Sequence, residues 1–378
     1  MRRTLAFSFA LVLLAAPAGA RSPVAIGTLT PGPVDAITDV PGVRVAHVTK
    51  VEGTDVRTGA TAIVPNEDIW NQRVAAATFD LNGNGEMTGA HWVDQAGFLE
   101  VPIVLTDTLD VGRADDGVVS WMIAHHPQIG RSDDVPLPLV AECDDQGLND
   151  IQGRYVHAED VVAVLEAAKS GDFARGNVGA GTGMLAFAFA GGIGSASRVL
   201  PKTLGGYTVG VLLNANIGSQ PRADLRIDGV PVGRSLTHEL LPIRRRAAAA
   251  AMPLRGRAAD GSIIIVVATD APLDHARLRD IAKRATIGLA RTGATSRVSS
   301  GDLFLAFSTT HRYPRDGGIA GPQVETDEDR IDALYEATAD VVEEALDDAL
   351  FSAHTVVGRN GTTAFSLPYE RVRPLLRR

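Results

Sequence analysis

The chain has 378 residues with 45 acidic against 36 basic side chains, a formal net charge of −9, and is 45% hydrophobic and 21% charged. That balance excludes a mostly disordered chain, and the length provides enough core for one large domain or two without covalent staples. An acidic surplus argues against nucleic acid as a partner, because phosphate binding needs clustered Lys and Arg.

In chain order, the first twenty residues read as an address. Arg2 and Arg3 precede an apolar run from Leu5 to Ala16, and Ala18-Gly19-Ala20 closes the segment. A charged start, a short apolar stretch and a small-residue cleavage site make a secretory signal over residues 1–20. The mature chain is then expected to begin near Arg21, periplasmic or secreted. The run is short for a bilayer span, so no membrane association is expected once it is removed.

Val43, Val45 and Val48, then Ala60, Ala62 and Val64, alternate like half-buried strands. The Asn-Gly-rich stretch Leu81–Gly89 reads as turns or a hairpin; it lacks the spacing of a calcium loop. Residues 101–105 form a short apolar strand, and 135–141, with two prolines, an edge strand. Cys143 is the only cysteine, so no internal disulfide is expected, and the thiol is expected to be inert and partly buried. No CxxC or HExxH spacing supports a zinc site. Residues 159–170 read as a helix with Val161, Val164, Leu165 and Ala168 on one face and Gly171 just past its end.

Gly176–Gly183 and Gly191–Ser195 contain G-x-G spacings. No Lys-Ser/Thr follows, so close approach of backbone to backbone or substrate is preferred over a phosphate cradle. Residues 207–213 are a strand candidate. At Gly261-Ser262 a Gly/Ala-rich stretch meets the apolar run Ile263–Ala268; taken alone, Ser262 is a turn residue before a buried strand. Pro272 and Asp274 open a helix with Leu278, Ile281, Ala285 and Leu289 on one stripe, stopping at Gly293. Ser300-Gly301-Asp302 then enters the strand Leu303–Phe307. If that strand pairs beside the one after Ser262, Ser262, Ser300 and Asp302 come together.

Thr326 with Asp329 three residues on resembles a capping box for the last long helix. Ile331, Leu334, Thr338, Val341, Ala345 and Leu346 make its buried face. Its acids, Glu336, Asp340, Glu343, Glu344, Asp347 and Asp348, read as a solvated face. Residues 364–367 add a last strand. The mixed order of elements predicts a single α+β domain with packed sheets and helices outside.

The motifs Ile37–Val43, Leu81–Gly89 with His91-Trp92, Gly176–Gly183, Gly191–Ser195, Val209–Val211 with Ala215-Asn216, Asp260–Pro272 and Ser300–Asp302 occur in one order. Together they resemble the N-terminal-nucleophile aminopeptidases that include the L-aminopeptidase/D-amidase-esterase and the β-peptidyl aminopeptidases. The resemblance runs from about Ile37 to Ser308 and more loosely to the C-terminus. It implies a four-layer αββα sandwich, a homo-oligomer of two-chain protomers, and no metal or organic cofactor. It also implies a precursor that cuts itself between Gly261 and Ser262, into chains 21–261 and 262–378, leaving Ser262 as the nucleophile.

By the same resemblance, Ser300 and Asp302 are the nucleophile's hydroxyl and acidic partners, Asn216 the oxyanion-side amide, and Glu142 the acid that holds the substrate's free amino group. The substrates implied are small peptides, amides or esters bearing that amino group. Where the family usually carries an aromatic residue two positions after Glu142, this chain has Asp144, which favours basic or polar substrates or weakens activity. Two other readings differ in outcome. An acyltransferase of the same fold would pass the acyl group to an added amine, and a periplasmic peptide-binding pseudoenzyme would stay uncut. A Ser-His-Asp hydrolase lacks its G-x-S-x-G elbow.

Overall fold

The computed structural model describes residues 22–218, 220–242 and 261–376, so the expected signal segment lies outside the described residues. In chain order the first half holds β1 (Arg44–Glu52), β2 (Val56–Val64), β3 (Gln72–Gly83), α1 (Ala90–Ala96), β4 (Phe98–Leu99), β5 (Ile103–Thr106), α2 (Val111–His125), β6 (Leu139–Glu142) and α3 (Ala158–Glu166). Then come β7 (Leu185–Ala186), β8 (Phe189–Ala190), β9 (Gly192–Val199), β10 (Thr208–Asn216) and β11 (Ser262–Thr269). The last third holds α4 (His275–Arg291), β12 (Gly301–Pro314), α5 (Glu328–Ser352), β13 (Val356–Val357), β14 (Thr363–Ala364) and α6 (Tyr369–Leu376).

Two sheets face each other. One has the order β1-β2-β5-β6 and the other β4-β3-β12-β11-β10-β9. Helices α2 and α3 pack on the first, α4 and α5 on the second, which makes the αββα sandwich. The run after Ser262 shows why it is apolar throughout. Ile264 and Val266 join the core between the sheets, whereas Ile263, Ile265 and Val267 join the core under α4 and α5. A strand covered on both faces has no solvent side to alternate with.

The same cover corrects the reading of β2 as half-buried. All of its residues but Arg57 are buried, because a 3₁₀ turn at Gly179–Gly181 lies across it. The glycine-rich segments are indeed sites of backbone contact. A Cβ on Gly194 would sit 1.8 Å from the carbonyl oxygen of Ala345, so α5 can lie on β9 only because that position is glycine. Strand β6 is an edge strand as expected, but it begins at Leu139, after both prolines.

Three helix readings change. Helix α3 ends at Glu166, before Gly171, because the chain turns off to pair Lys169 with Val45 (N···O 3.0 Å). The cap of α5 is Asp327, whose Oδ1 accepts from the Arg330 amide at 3.1 Å, not Thr326. Glu325 decides this by accepting the amides of both Thr326 and Asp327 at 3.0 Å. The acidic face of α5 is not solvated either. Glu336 is exposed, but Glu343, Glu344, Asp347 and Asp348 are all buried. Arg198, fully buried, pairs with Glu344; Arg175 meets Asp348 at 3.3 Å; Arg291 reaches Asp340 at 2.6 Å. Charge run and amphipathic stripe coincide here, and the partners that permit burial lie more than a hundred residues away for two of the three.

Candidate active site around Ser262

Ser262 opens β11 in the middle of the six-stranded sheet. Antiparallel pairing with β10 sets it opposite Asn216, and parallel pairing with β12 sets it opposite Gly301. The parallel register therefore brings Ser300 and Asp302 to either side of the position facing Ser262, the juxtaposition the sequence left conditional. Gly261 holds the Gly301 amide through its carbonyl at 3.2 Å. All four polar side chains (Ser262, Ser300, Asp302 and Asn216) are buried.

Their hydrogen bonds form a short chain. Ser300 Oγ donates to Asp302 Oδ1 at 2.8 Å, and Asn82 Nδ2 donates to Asp302 Oδ2 at 2.9 Å. Burial pushes the Asp302 carboxyl above its ordinary range, and the donors Ser300 and Asn82 pull it back. Asn216 is oriented from both ends. Its Oδ1 accepts the Leu185 amide at 3.2 Å, and its Nδ2 donates to the Asp144 carbonyl at 2.7 Å and reaches Ser262 Oγ at 3.4 Å. An amide so fixed next to a hydroxyl is placed to stabilise negative charge on an oxygen bonded there.

Ser262 looks into a cavity of about 590 Å³, a size suited to a small molecule, whose lining includes Glu142, Asp144 and Gly261. Glu142 ends β6. Its Oε1 accepts the Glu86 amide at 3.0 Å and its Oε2 accepts from Thr108 Oγ1. Burial raises its carboxyl, and those two donors oppose the shift. Asp144 is braced by the Gln146 amide at 2.8 Å on Oδ1 and by the Gln146 side chain on Oδ2. All seven residues singled out from the sequence thus meet in or around one cavity.

Cys143 lies fully buried behind it, with Sγ 3.7 Å from the Asn214 carbonyl; burial raises its thiol well above the ordinary value, as expected of an inert group. Asn82, Thr108 and Glu86 escaped notice as site residues. Asn82 stood in a motif read as a turn, and Thr108 and Glu86 reach Glu142 only through the fold.

Residues 35–364 match peptidase family S58. The chain belongs to that family. It is 39% identical over 358 residues to the β-peptidyl aminopeptidase BapA of Sphingosinicella microcystinivorans, covering 92% of this chain and 89% of that one. The PH0078 protein of Pyrococcus horikoshii OT3 superposes with a TM-score of 0.83 at 41% identity, over 93% of this chain and 96% of that one. The L-aminopeptidase D-Ala-esterase/amidase of Ochrobactrum anthropi, described as a prototype of the serine aminopeptidases and a variant of the Ntn hydrolase fold, gives 0.81 at 37% identity, with the same coverage. The S58 chain described here therefore has the Ntn-hydrolase-type sandwich and is a peptidase of the aminopeptidase kind.

Proposed function

We propose that this chain is an exported, self-processing serine aminopeptidase that releases N-terminal residues from small peptides, amides or esters through an acyl-enzyme on Ser262. The observation that carries the reading is the register of β10, β11 and β12, which groups Asn216, Ser262 and the Ser300–Asp302 pair at the rim of a cavity holding Glu142. A serine hydroxyl is a weak nucleophile without a base. Cutting the bond between Gly261 and Ser262 supplies one, since a free α-amine has a pKa of about 8 and accepts a proton near neutrality.

The steps follow from those positions. The Ser262 α-amine takes the Oγ proton as Oγ attacks the substrate carbonyl, and Asn216 Nδ2 donates to the developing oxyanion. The amine then protonates the leaving group, the first residue stays esterified to Ser262, and water releases it in a second attack. Ser300 and Asp302 support the proton on the Ser262 side. Glu142, ionised, pairs with the substrate ammonium and so restricts attack to the first residue. The related β-peptidyl enzyme supports a β-amino acyl substrate, and Asp144 supports a basic or polar one. Export rests on the pattern of residues 1–20, and a homo-oligomer of two-chain protomers on the family resemblance.

Intact mass and N-terminal sequencing of the purified protein test the reading. Two fragments are expected, the smaller starting at Ser262, and Ser262→Ala stays whole and inactive. A folded, uncut and inactive wild-type chain would replace the enzyme with a peptide-binding protein.

A further inference from the structure

One charged side chain of the cavity lining, Arg359, has no role in the chemistry above. Arg359 comes from the tip between β13 and β14, close to a hundred residues after Ser262, and it is the only basic residue among the described residues of that lining; Glu86, Glu142 and Asp144 are its acids. The tip is a built position. The Arg359 amide donates to the Leu148 carbonyl at 2.7 Å and the Asn360 amide to Asp55 Oδ1 at 3.1 Å. A Cβ on Gly358 would lie 2.2 Å from the Leu148 carbonyl oxygen, so the loop is seated against the body of the protein without room to slide.

The guanidinium itself is held more lightly. It meets Asp150 Oδ1 through Nη2 at 3.4 Å, with the two side chains 38% and 33% exposed. An ion pair that open is worth little and is readily exchanged, whereas a guanidinium binds an incoming carboxylate through two parallel N–H donors. The cavity thus offers one carboxylate, Glu142, for an ammonium and one guanidinium for a carboxylate, in a volume suited to a small ligand.

We propose that Arg359 binds the free C-terminal carboxylate of the substrate and makes this site selective for dipeptide-sized zwitterions over the same compounds capped as amides. The proposal rests on the aminopeptidase reading and narrows its substrate class. Arg359 is a specificity residue that takes no part in breaking the bond; its contribution falls mainly on KM.

The test compares kcat/KM for release of the first residue from β-alanyl-L-alanine and L-alanyl-L-alanine, each as free acid and as C-terminal amide. Wild-type enzyme is expected to favour the free acid by about tenfold or more, the range of a charge-assisted pair. Arg359→Gln should bring the acid-to-amide ratio close to one, and Arg359→Lys should restore part of it. An acid-to-amide ratio near one in the wild type overturns the proposal without any variant. So does an Arg359→Gln protein that loses activity on acid and amide alike, since that marks a structural role. Turnover of neither form by a correctly cut wild type would remove the aminopeptidase reading itself, whereas equal turnover of both removes this proposal alone.

Discussion

Around Ser262 each oxygen of the two buried carboxylates, Glu142 and Asp302, accepts a hydrogen bond. On α5, Asp347 is equally buried, and neither of its oxygens has a partner among the described residues. Burial raises both sets above the ordinary carboxylate range, but with different opposition. In the first, hydroxyl and amide donors counter the shift. In the second, Glu343, Glu344, Asp228 and Asp348 add like charge to burial and drive Asp347 well upward. The difference teaches that location in the core does not decide whether a carboxylate is useful as an anion; the donors aimed at it do.

The largest test of that contrast is Glu142→Gln. Losing one partner of a buried, hydrogen-bonded charge pair costs about 2–5 kcal/mol. Steady-state kinetics on a substrate with a free amine should therefore show kcat/KM lower by ~10²-fold or more, chiefly in KM. An unchanged KM would break the assignment. Asp302→Asn comes next. It faces Asn82 Nδ2 or Ser300 Oγ with an amide donor, a mismatch of ~1–3 kcal/mol that should appear in kcat as roughly tenfold or more.

The pH profile sharpens the comparison further. Glu142 must be ionised to hold an ammonium, and its carboxyl is raised above 4.5. The acid limb of kcat/KM is therefore expected above pH 4.5, with activity lost as pH falls through it, and Glu142→Gln should remove that limb. For the α5 cluster the sign is the opposite. Glu343 is raised to about 7 and Asp348 to about 6, and burial with the neighbouring acids raises Asp347 well above its ordinary value. Below the unfolded values near 4 both states hold these protons; as pH rises the unfolded chain releases them first, so their contribution to stability is lost towards pH 6–7. Asp347→Asn should accordingly stabilise the protein by ~1–2 kcal/mol at pH 8 and very little at pH 4, read from denaturation midpoints at the two pH values. The smallest effect expected is at Cys143. Its thiol should resist a disulfide reagent in the native protein and react at once when unfolded.

The difference between the regions also explains what the sequence disclosed. Helices α4 and α5 followed from their apolar stripes, and β11 from an apolar run too dense for an exposed strand. Strand entrances alone left Ser262 a turn residue and its meeting with Ser300 and Asp302 conditional; the family resemblance singled the three out, and the pairing that joins them is between two strands with a helix between, the ordinary parallel connection. Arg359 was not legible. It sits in an Arg-Asn-Gly turn that resembles any surface turn, and only the packing of that turn on Leu148 brings it to the cavity. The burial of the α5 acids was equally hidden, because Arg198 and Arg175 belong to segments distant in the chain.

The sheet order carries one last consequence. Strands β11 and β12, which follow Gly261, lie between β10 on one side and β3 on the other, both of which precede it. A cut ahead of Ser262 would leave two polypeptides woven together strand by strand, with a ladder of backbone bonds on each side. They would travel as one particle through purification, yet once unfolded they would have to find each other again. Recovery of the cut protein from denaturant would then depend on its concentration, whereas the uncut Ser262→Ala chain would refold as a single molecule at any dilution.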